Sequence, residues 1–316
     1  MREYTSFLAA HIQAYALFQK ASDRCSSTWE TSLFLFDSHL KTHYPQAMEL
    51  FQEMVDTWCR QRETEINNSC ISRVNPIVGL IRYLRQRGIT KVEEPALPRK
   101  ERRTYIPHAF NEYELANFFR ACDEIPDLPK TKRFASRRIV VPVFFRLLYS
   151  SGIRTCEARM LQTEDVDLLH GVLDIRLSKG IDQHYVALHD TIIELLKQYD
   201  EAIRKYHPER VYFFPTKDGS FFKRQWVQDH FRSAWFKYNG AYSTSYELRH
   251  NYAVENINGW TDLGFGFDDK LLYLSKSMGH CSVETTKYYY SLVPRMADIL
   301  ESHSNGDTVI PEVDYD

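Results

Sequence analysis

Two arginine-bearing segments and a tyrosine-rich one, in a set order, place the strongest condition on how this chain folds. Gly152-Ile153-Arg154-Thr155-Cys156-Glu157 comes first and Tyr246-Glu247-Leu248-Arg249-His250 second. Met278-Gly279-His280, followed by Thr285-Thr286-Lys287-Tyr288-Tyr289-Tyr290, comes last. Far apart in sequence, they make joint chemical sense only if the fold gathers them around one anion. A phosphodiester grows more crowded with charge as a nucleophile attacks it. Two guanidiniums can fork onto its non-bridging oxygens, and a phenol can attack. Each residue taken singly has a plainer reading. Arg154 and Glu157 at helical spacing make a surface ion pair, Lys179 is a hairpin-tip lysine, His280 ends a helix, and the tyrosines form an aromatic core patch. The plainer readings leave the joint order unexplained.

The surrounding pattern is mainly helical. Residues 1 to 92 read as a four-helix unit, with helices near Phe7 to Lys20, Thr28 to Lys41, Pro45 to Arg62 and Ile71 to Arg87. In the third, Ala47, Met48, Phe51, Met54, Val55 and Trp58 recur at three- and four-residue spacing. In the fourth, Pro76 predicts either a kink or a helix beginning there, and Gly88 a C-terminal stop. Residues 93 to 107 carry three prolines and a basic run, a linker composition. A second domain, residues 108 to 302, opens where Asn111 and Glu114 can form a capping box. An apolar helix follows near Ile139 to Tyr149, closed by Ser150-Ser151-Gly152. Val172 to Leu177 and His184 to Leu188 read as a β-hairpin with Lys179 at its tip, and helices return from Phe221. Residues 303 to 316 form an acidic tail.

Charge leaves the partner open. The formal net charge is -2, but no Lys or Arg follows Arg295, and the six carboxylates after it (Asp298, Glu301, Asp307, Glu312, Asp314, Asp316) leave +4 on the rest. Basic clusters stand at Arg82 to Arg87, at Arg99-Lys100-Glu101-Arg102-Arg103 and from Lys130 to Arg138. Each is as well read as a solvated face as a phosphate contact. Arg82, Arg85, Arg99, Lys100, Arg102 and Arg103 are the candidates for nucleic-acid binding. Six scattered cysteines without CxxC spacing read as reduced thiols, neither a disulfide framework nor a zinc site. The start of the chain does not read as a signal peptide. The longest apolar run, Ile139 to Phe145, is too short to span a bilayer, so the expectation is a cytoplasmic protein with no membrane partner.

The second domain resembles the catalytic domain of the tyrosine recombinases, the phage-integrase and Xer-like group of the two-domain type. The resemblance rests on the first arginine box at Arg154, Ser178-Lys179-Gly180, the second box Leu248-Arg249-His250-Asn251-Tyr252-Ala253, and Met278-Gly279-His280 with Tyr289 nine residues beyond the histidine. Leu80-Ile81-Arg82-Tyr83-Leu84-Arg85-Gln86-Arg87-Gly88 is similar to the family's core-binding domain. One position departs from it. The family usually has histidine three residues before the second arginine, where this chain has Tyr246. A phenol with an ordinary pKa of ~10 is a poor proton acceptor at neutral pH.

The resemblance implies a mainly α fold with a small antiparallel β-sheet. A helical core-binding domain and a mixed α/β catalytic domain would form a C-shaped clamp around DNA. It implies site-specific recombination, for integration, excision or resolution, through a 3′-phosphotyrosyl intermediate. Tyr289 would be the nucleophile, with Arg154 and Arg249 as the phosphate clamp and Lys179 as the acid for the leaving 5′ oxygen. His280 and Tyr246 would bond the phosphate, and Glu157 would orient a basic neighbour. No cofactor or metal is expected. The expected partners are double-stranded DNA carrying recombination sites, a homotetramer docked through a C-terminal helix (Val293, Met296, Ile299, Leu300), and an accessory DNA-bending protein. The alternatives are a DNA-binding protein of the same fold impaired in cleavage, a type IB topoisomerase, and a helical interaction scaffold.

Overall fold

The computed structural model describes residues 3–22, 26–101, 107–125, 132–176, 183–260, 267–287 and 289. The chain divides into two compact units, Met1–Tyr105 and Ile106–Asp316.

The first unit holds α1 (Ala9–Ala21), α2 (Ser27–His43), α3 (Gln52–Cys59) and α4 (Asn67–Gln86). Its core is built around α4, whose Val74, Ile77, Leu80, Ile81 and Leu84 are fully buried and pack with Ile12 of α1 and Leu33, Phe36 and Leu40 of α2. Those α4 positions fall at the three- and four-residue spacing of one helix face, which is why burial follows the sequence pattern there. Pro76 sits inside α4, which begins nine residues earlier at Asn67 and runs through it.

The third helix is shorter than its periodicity predicts. Phe51 is extended and precedes the first turn, and Met48 and Phe51 are exposed while Met54, Val55 and Trp58 are buried. Apolar spacing over a single turn does not distinguish a helix from the irregular segment leading into it. The described part of the expected linker is strapped to this unit by side-chain to main-chain bonds. Gln52 accepts from Glu93 N at 2.8 Å, Asn67 donates to Arg99 O at 2.9 Å, and Asn68 donates to Glu101 O at 2.8 Å and accepts from its N at 3.1 Å.

The second unit opens with α5 (Glu112–Asp123), capped as expected: Glu114 N donates to Asn111 Oδ1 at 2.9 Å and Asn111 N donates to Glu114 Oε2 at 3.1 Å. At its centre α6 (Lys132–Ser151) packs against α5, against α8 (Asp190–Arg204) and against α10 (Glu247–Asn258). Val140, Val141, Val143, Phe144, Phe145, Leu147 and Leu148 are all buried, so this stretch is apolar nearly all round, as a helix enclosed by others must be. Aromatic rings fill the space beside it: Phe118 lies 5.4 Å from Phe145 and 4.9 Å from Phe231, and Phe144 lies 5.2 Å from Phe214.

After α7 (Thr155–Met160), strands β1 (Val166–Asp167), β2 (Val172–Ile175) and β3 (His184–Ala187) form an antiparallel sheet in the order β1-β2-β3. Ile175 pairs with His184 at the end of the hairpin next to its connecting segment. The two-residue β1 is too short for alternation to reveal in sequence. The unit continues with α9 (Arg224–Tyr238), α11 (Phe267–Ser277) and α12 (Val283–Lys287). The fold is thus mainly helical with one small antiparallel sheet, as expected. Among the described residues no helix is long and apolar enough to cross a membrane.

Candidate active site

Two turns with left-handed backbone carry the site. Gly152 ends α6 at φ 63° and Gly279 follows α11 at φ 62°, a conformation that costs an L side chain about 1–2 kcal/mol. Close packing also requires glycine at both. A Cβ on Gly152 would lie 2.2 Å from Tyr252 Cδ1, and one on Gly279 would lie 2.5 Å from His184 Cε1 and 3.0 Å from Arg154 Nη1.

The carbonyls of these turns receive the two arginines. Arg249, in the first turn of α10, donates from Nη1 to Gly152 O at 2.5 Å and from Nη2 to Met278 O at 2.7 Å. Arg154, just before α7, donates from Nη2 to Gly279 O at 2.6 Å. Its Nη1 and main-chain N reach the two oxygens of buried Glu157, each at 2.6 Å. Burial alone would lower the Arg154 pKa, but the Glu157 bond and charge outweigh it and hold the guanidinium above its ordinary value. Each box is therefore bonded to the turn before His280, and Arg249 also bonds the turn before Arg154. Arg249 is buried, and its Nε has no hydrogen-bond partner among the described residues. That leaves a desolvated cation with a donor to spare, a costly arrangement unless an anion completes it.

His280 is fixed between the cation and a hydroxyl. Its Nε2 lies 3.0 Å from Arg249 Nη2 and its Nδ1 2.7 Å from the buried Thr286 Oγ1. A guanidinium only donates, so Nε2 accepts and Nδ1–H donates to the threonine. Burial, then the charges of Arg249 and Arg154, push the His280 pKa down to about 4, so the ring is neutral near pH 7.

Tyr289 is 3% exposed, in a small cluster with Ala253, Ile257, Leu274 and Met278. Its ring lies nearly parallel to that of His280 at 6.2 Å and tilted against that of His250 at 5.5 Å. Tyr246 precedes α10, is 46% exposed, and lies edge-on to His250 at 5.0 Å.

Six of the seven candidate catalytic residues thus come together: Arg154, Glu157, Tyr246, Arg249, His280 and Tyr289. The seventh, Lys179, lies outside the described residues, although β3, which follows its segment, begins at His184 against Gly279. Arg82, Arg85, Arg99 and Lys100 are exposed in the first unit, with Arg82 paired to Glu94 at 2.7 Å. Arg102, Arg103, the proposed docking helix after Tyr289 and the acidic tail also lie outside the described residues.

The sequence reading gave no role to three residues at this site. His250 and Thr286 stand inside motifs quoted for their neighbours, and His184 reads as an ordinary strand position. Only the convergence of β3, α10 and the last segment reveals them.

Comparison with known proteins gives the following. The model of the phage integrase family matches residues 114–295. A tyrosine recombinase XerD of Staphylococcus saprophyticus is 29% identical over 170 residues, 52% of this chain and 53% of that protein. A putative integrase/recombinase y4rE of Sinorhizobium fredii is 30% identical over 192 residues, 58% of this chain and 59% of that protein. The chain spans about half the length of the curated relatives it matches. Among solved structures, the XerH site-specific recombinase bound to its palindromic difH substrate superposes with a TM-score of 0.62 at 18% identity, over 87% of this chain and 78% of that one. A lambda integrase tetramer bound to a Holliday junction gives 0.57 at 13%, over 89% and 76%. At these identities the likeness establishes a shared fold.

Proposed function

This chain belongs to the phage integrase family, and from that premise we propose that it is a site-specific DNA recombinase. It cleaves and rejoins strands through a 3′-phosphotyrosyl ester on Tyr289. The observation that carries the proposal is the cross-bonding of Arg154, Arg249 and His280 through the Gly152 and Gly279 turns, with Tyr289 in ring contact.

The phenolic oxygen of Tyr289 attacks the scissile phosphorus, and the ester keeps the bond energy for ligation. Arg154 and Arg249 hold the non-bridging oxygens and favour the more highly charged transition state, with the spare Nε–H of Arg249 among the donors. Glu157 keeps Arg154 charged and aimed. Lys179 protonates the departing 5′ oxygen, a poor leaving group otherwise. His280, held by Arg249 and Thr286, donates from Nε2–H to the phosphate once Arg249 turns toward the anion and the Thr286 hydroxyl donates to Nδ1 in exchange. Tyr289 is buried here, so the attack also requires its phenol to be uncovered.

Residues 1–92 are proposed as the core-binding domain, 93–107 as the linker, 108–302 as the catalytic domain and 303–316 as the tail. Arg82, Arg85, Arg99, Lys100, Arg102 and Arg103 would meet phosphates, with binding weakening steeply as salt rises. The lambda integrase of similar fold is a tetramer on a junction, which supports a tetramer here; residues 292–300 would join the copies, and a DNA-bending protein would assist. Nucleoid association follows from the same reading.

The test is incubation with nicked duplex half-sites, comparing wild type with Tyr289→Phe. A covalent protein–DNA band that depends on Tyr289 supports the assignment. A band unaffected by the change moves the nucleophile elsewhere, and no band from any duplex that the protein binds favours a non-cleaving DNA-binding protein.

A further inference from the structure

A phenol that attacks phosphorus has to lose its proton, and the described residues offer few acceptors near Tyr289. His280 is committed: Nε2 meets Arg249 here and the phosphate in the reaction proposed above, and Nδ1 is engaged by Thr286. Tyr246 is itself a phenol and touches His250. His250 is another imidazole at the site, in ring contact with Tyr289 at 5.5 Å. It stands on α10 next to Arg249, one turn beyond Tyr246, which caps the start of that helix.

We propose that His250 accepts the proton of Tyr289 as the phenol attacks, an inference that rests on the recombinase reading above and adds a residue to it. The phenolic O–H bond breaks, a bond forms between Tyr289 Oη and phosphorus, and the proton passes to a ring nitrogen of His250. The bond from phosphorus to O5′ breaks, and that oxygen takes its proton from Lys179. In ligation the imidazolium returns the proton to the phenol. Tyr246, edge-on to the imidazole, orients it.

The electrostatics are consistent with this role. Ionisable groups facing the imidazole include Tyr246 just before α10, Arg249 on α10 and Tyr289 on the last segment. Burial, then the Arg249 charge, push the His250 pKa down to about 4, so it is neutral near pH 7, the protonation state from which an imidazole can accept a proton. A phosphate bound on Arg249 offsets the guanidinium charge and raises that basicity when it is needed.

Two measurements test the proposal. The first needs no DNA: nitrogen-15 histidine spectra of the whole protein, wild type against Tyr289→Phe, with the His250 signal assigned by its loss in His250→Gln. Removing the hydroxyl should shift the His250 ring-nitrogen signals; unshifted signals overturn the proposal. The second is single-turnover cleavage of nicked duplexes that the wild type captures covalently from a random-sequence pool, remade with sulfur in place of the bridging O5′. Sulfur leaves without a proton, so the rate no longer depends on Lys179 and reports the phenol's proton. His250→Gln should lower it about 10²-fold near pH 7 with DNA affinity unchanged. The variant's rate should then climb with pH toward the ordinary phenol value of ~10, where the wild type stays flat. Adding Tyr246→His, one turn back, should recover part of the loss, which mere structural damage would not allow. A His250→Gln rate within about threefold of wild type, or one with the wild-type pH profile, overturns the proposal. If the wild type captures no duplex, the recombinase reading fails first and the proton-transfer role falls with it, whatever the spectra show.

Discussion

Replacing Gly279 by alanine should damage this site in a calculable way. At φ 62° the new side chain costs about 1–2 kcal/mol in backbone strain. Its Cβ would also stand 2.5 Å from Cε1 and 2.7 Å from Nδ1 of His184, and 3.0 Å from Nη1 of Arg154. His184 is buried at the start of β3, so its ring has little room to move, and forcing a methyl against it adds about 1–3 kcal/mol. The sum is about 3 kcal/mol. Gly219 supplies the control in the same unit: it has φ 80°, and nothing lies within 4 Å of a Cβ built on it. Gly219→Ala should therefore cost only the strain. Urea unfolding of both variants, read on the transition that Gly219→Ala shifts, should place Gly279→Ala about 2 kcal/mol below the control. Cleavage should fall as well, because the Gly279 carbonyl holds Arg154. Equal stability of the two variants would refute the close approach of β3 to the Gly279 turn.

Other outcomes follow from the same geometry. Arg249→Met should destabilise the second unit by about 2–4 kcal/mol in urea unfolding, because Gly152 O and Met278 O lose their donor, and Arg249→Lys should recover only part, having no fork. His250 and His280 are both held at about 4 against an ordinary 6.5. The unfolded chain therefore binds more protons between those values. Their contribution, about 3 kcal/mol per histidine and not additive beside one Arg249, is present above pH 6.5 and lost as pH falls toward 4. Thermal melts across that window should show the loss, and a flat profile would contradict it. Tyr246→His in the otherwise wild-type protein should raise the cleavage rate; no change would remove the position from the mechanism.

Much of this site was legible in the sequence because its chemistry needs rare residue types in a fixed order. The spacing of Arg154, Arg249, His280 and Tyr289 conveyed more than any local propensity. The capping box at Asn111 and Glu114 and the apolar face of α4 were equally readable, since local geometry dictates both. What the sequence concealed is mostly tertiary. Nothing in the strand His184 to Ala187 announces that its first residue packs against Gly279. Apolar residues at Ala47, Met48 and Phe51 imitate a helix turn that does not form, because periodicity is blind to which side meets the core. Pro76 predicted a kink or a helix beginning there, yet α4 begins at Asn67 and continues past it, with Val74 and Ile77 buried on either side. His250 was in plain view beside Arg249, but its contact with Tyr289 depends on the turn of α10 against the last segment.

The measurement closest to the central claim is peptide mapping of the covalent protein–DNA adduct by mass spectrometry, after nuclease and protease digestion. A nucleotide esterified through its 3′ phosphate to Tyr289 is the expected product. The same mass on Tyr288, on Tyr290 or on any other residue would contradict the account.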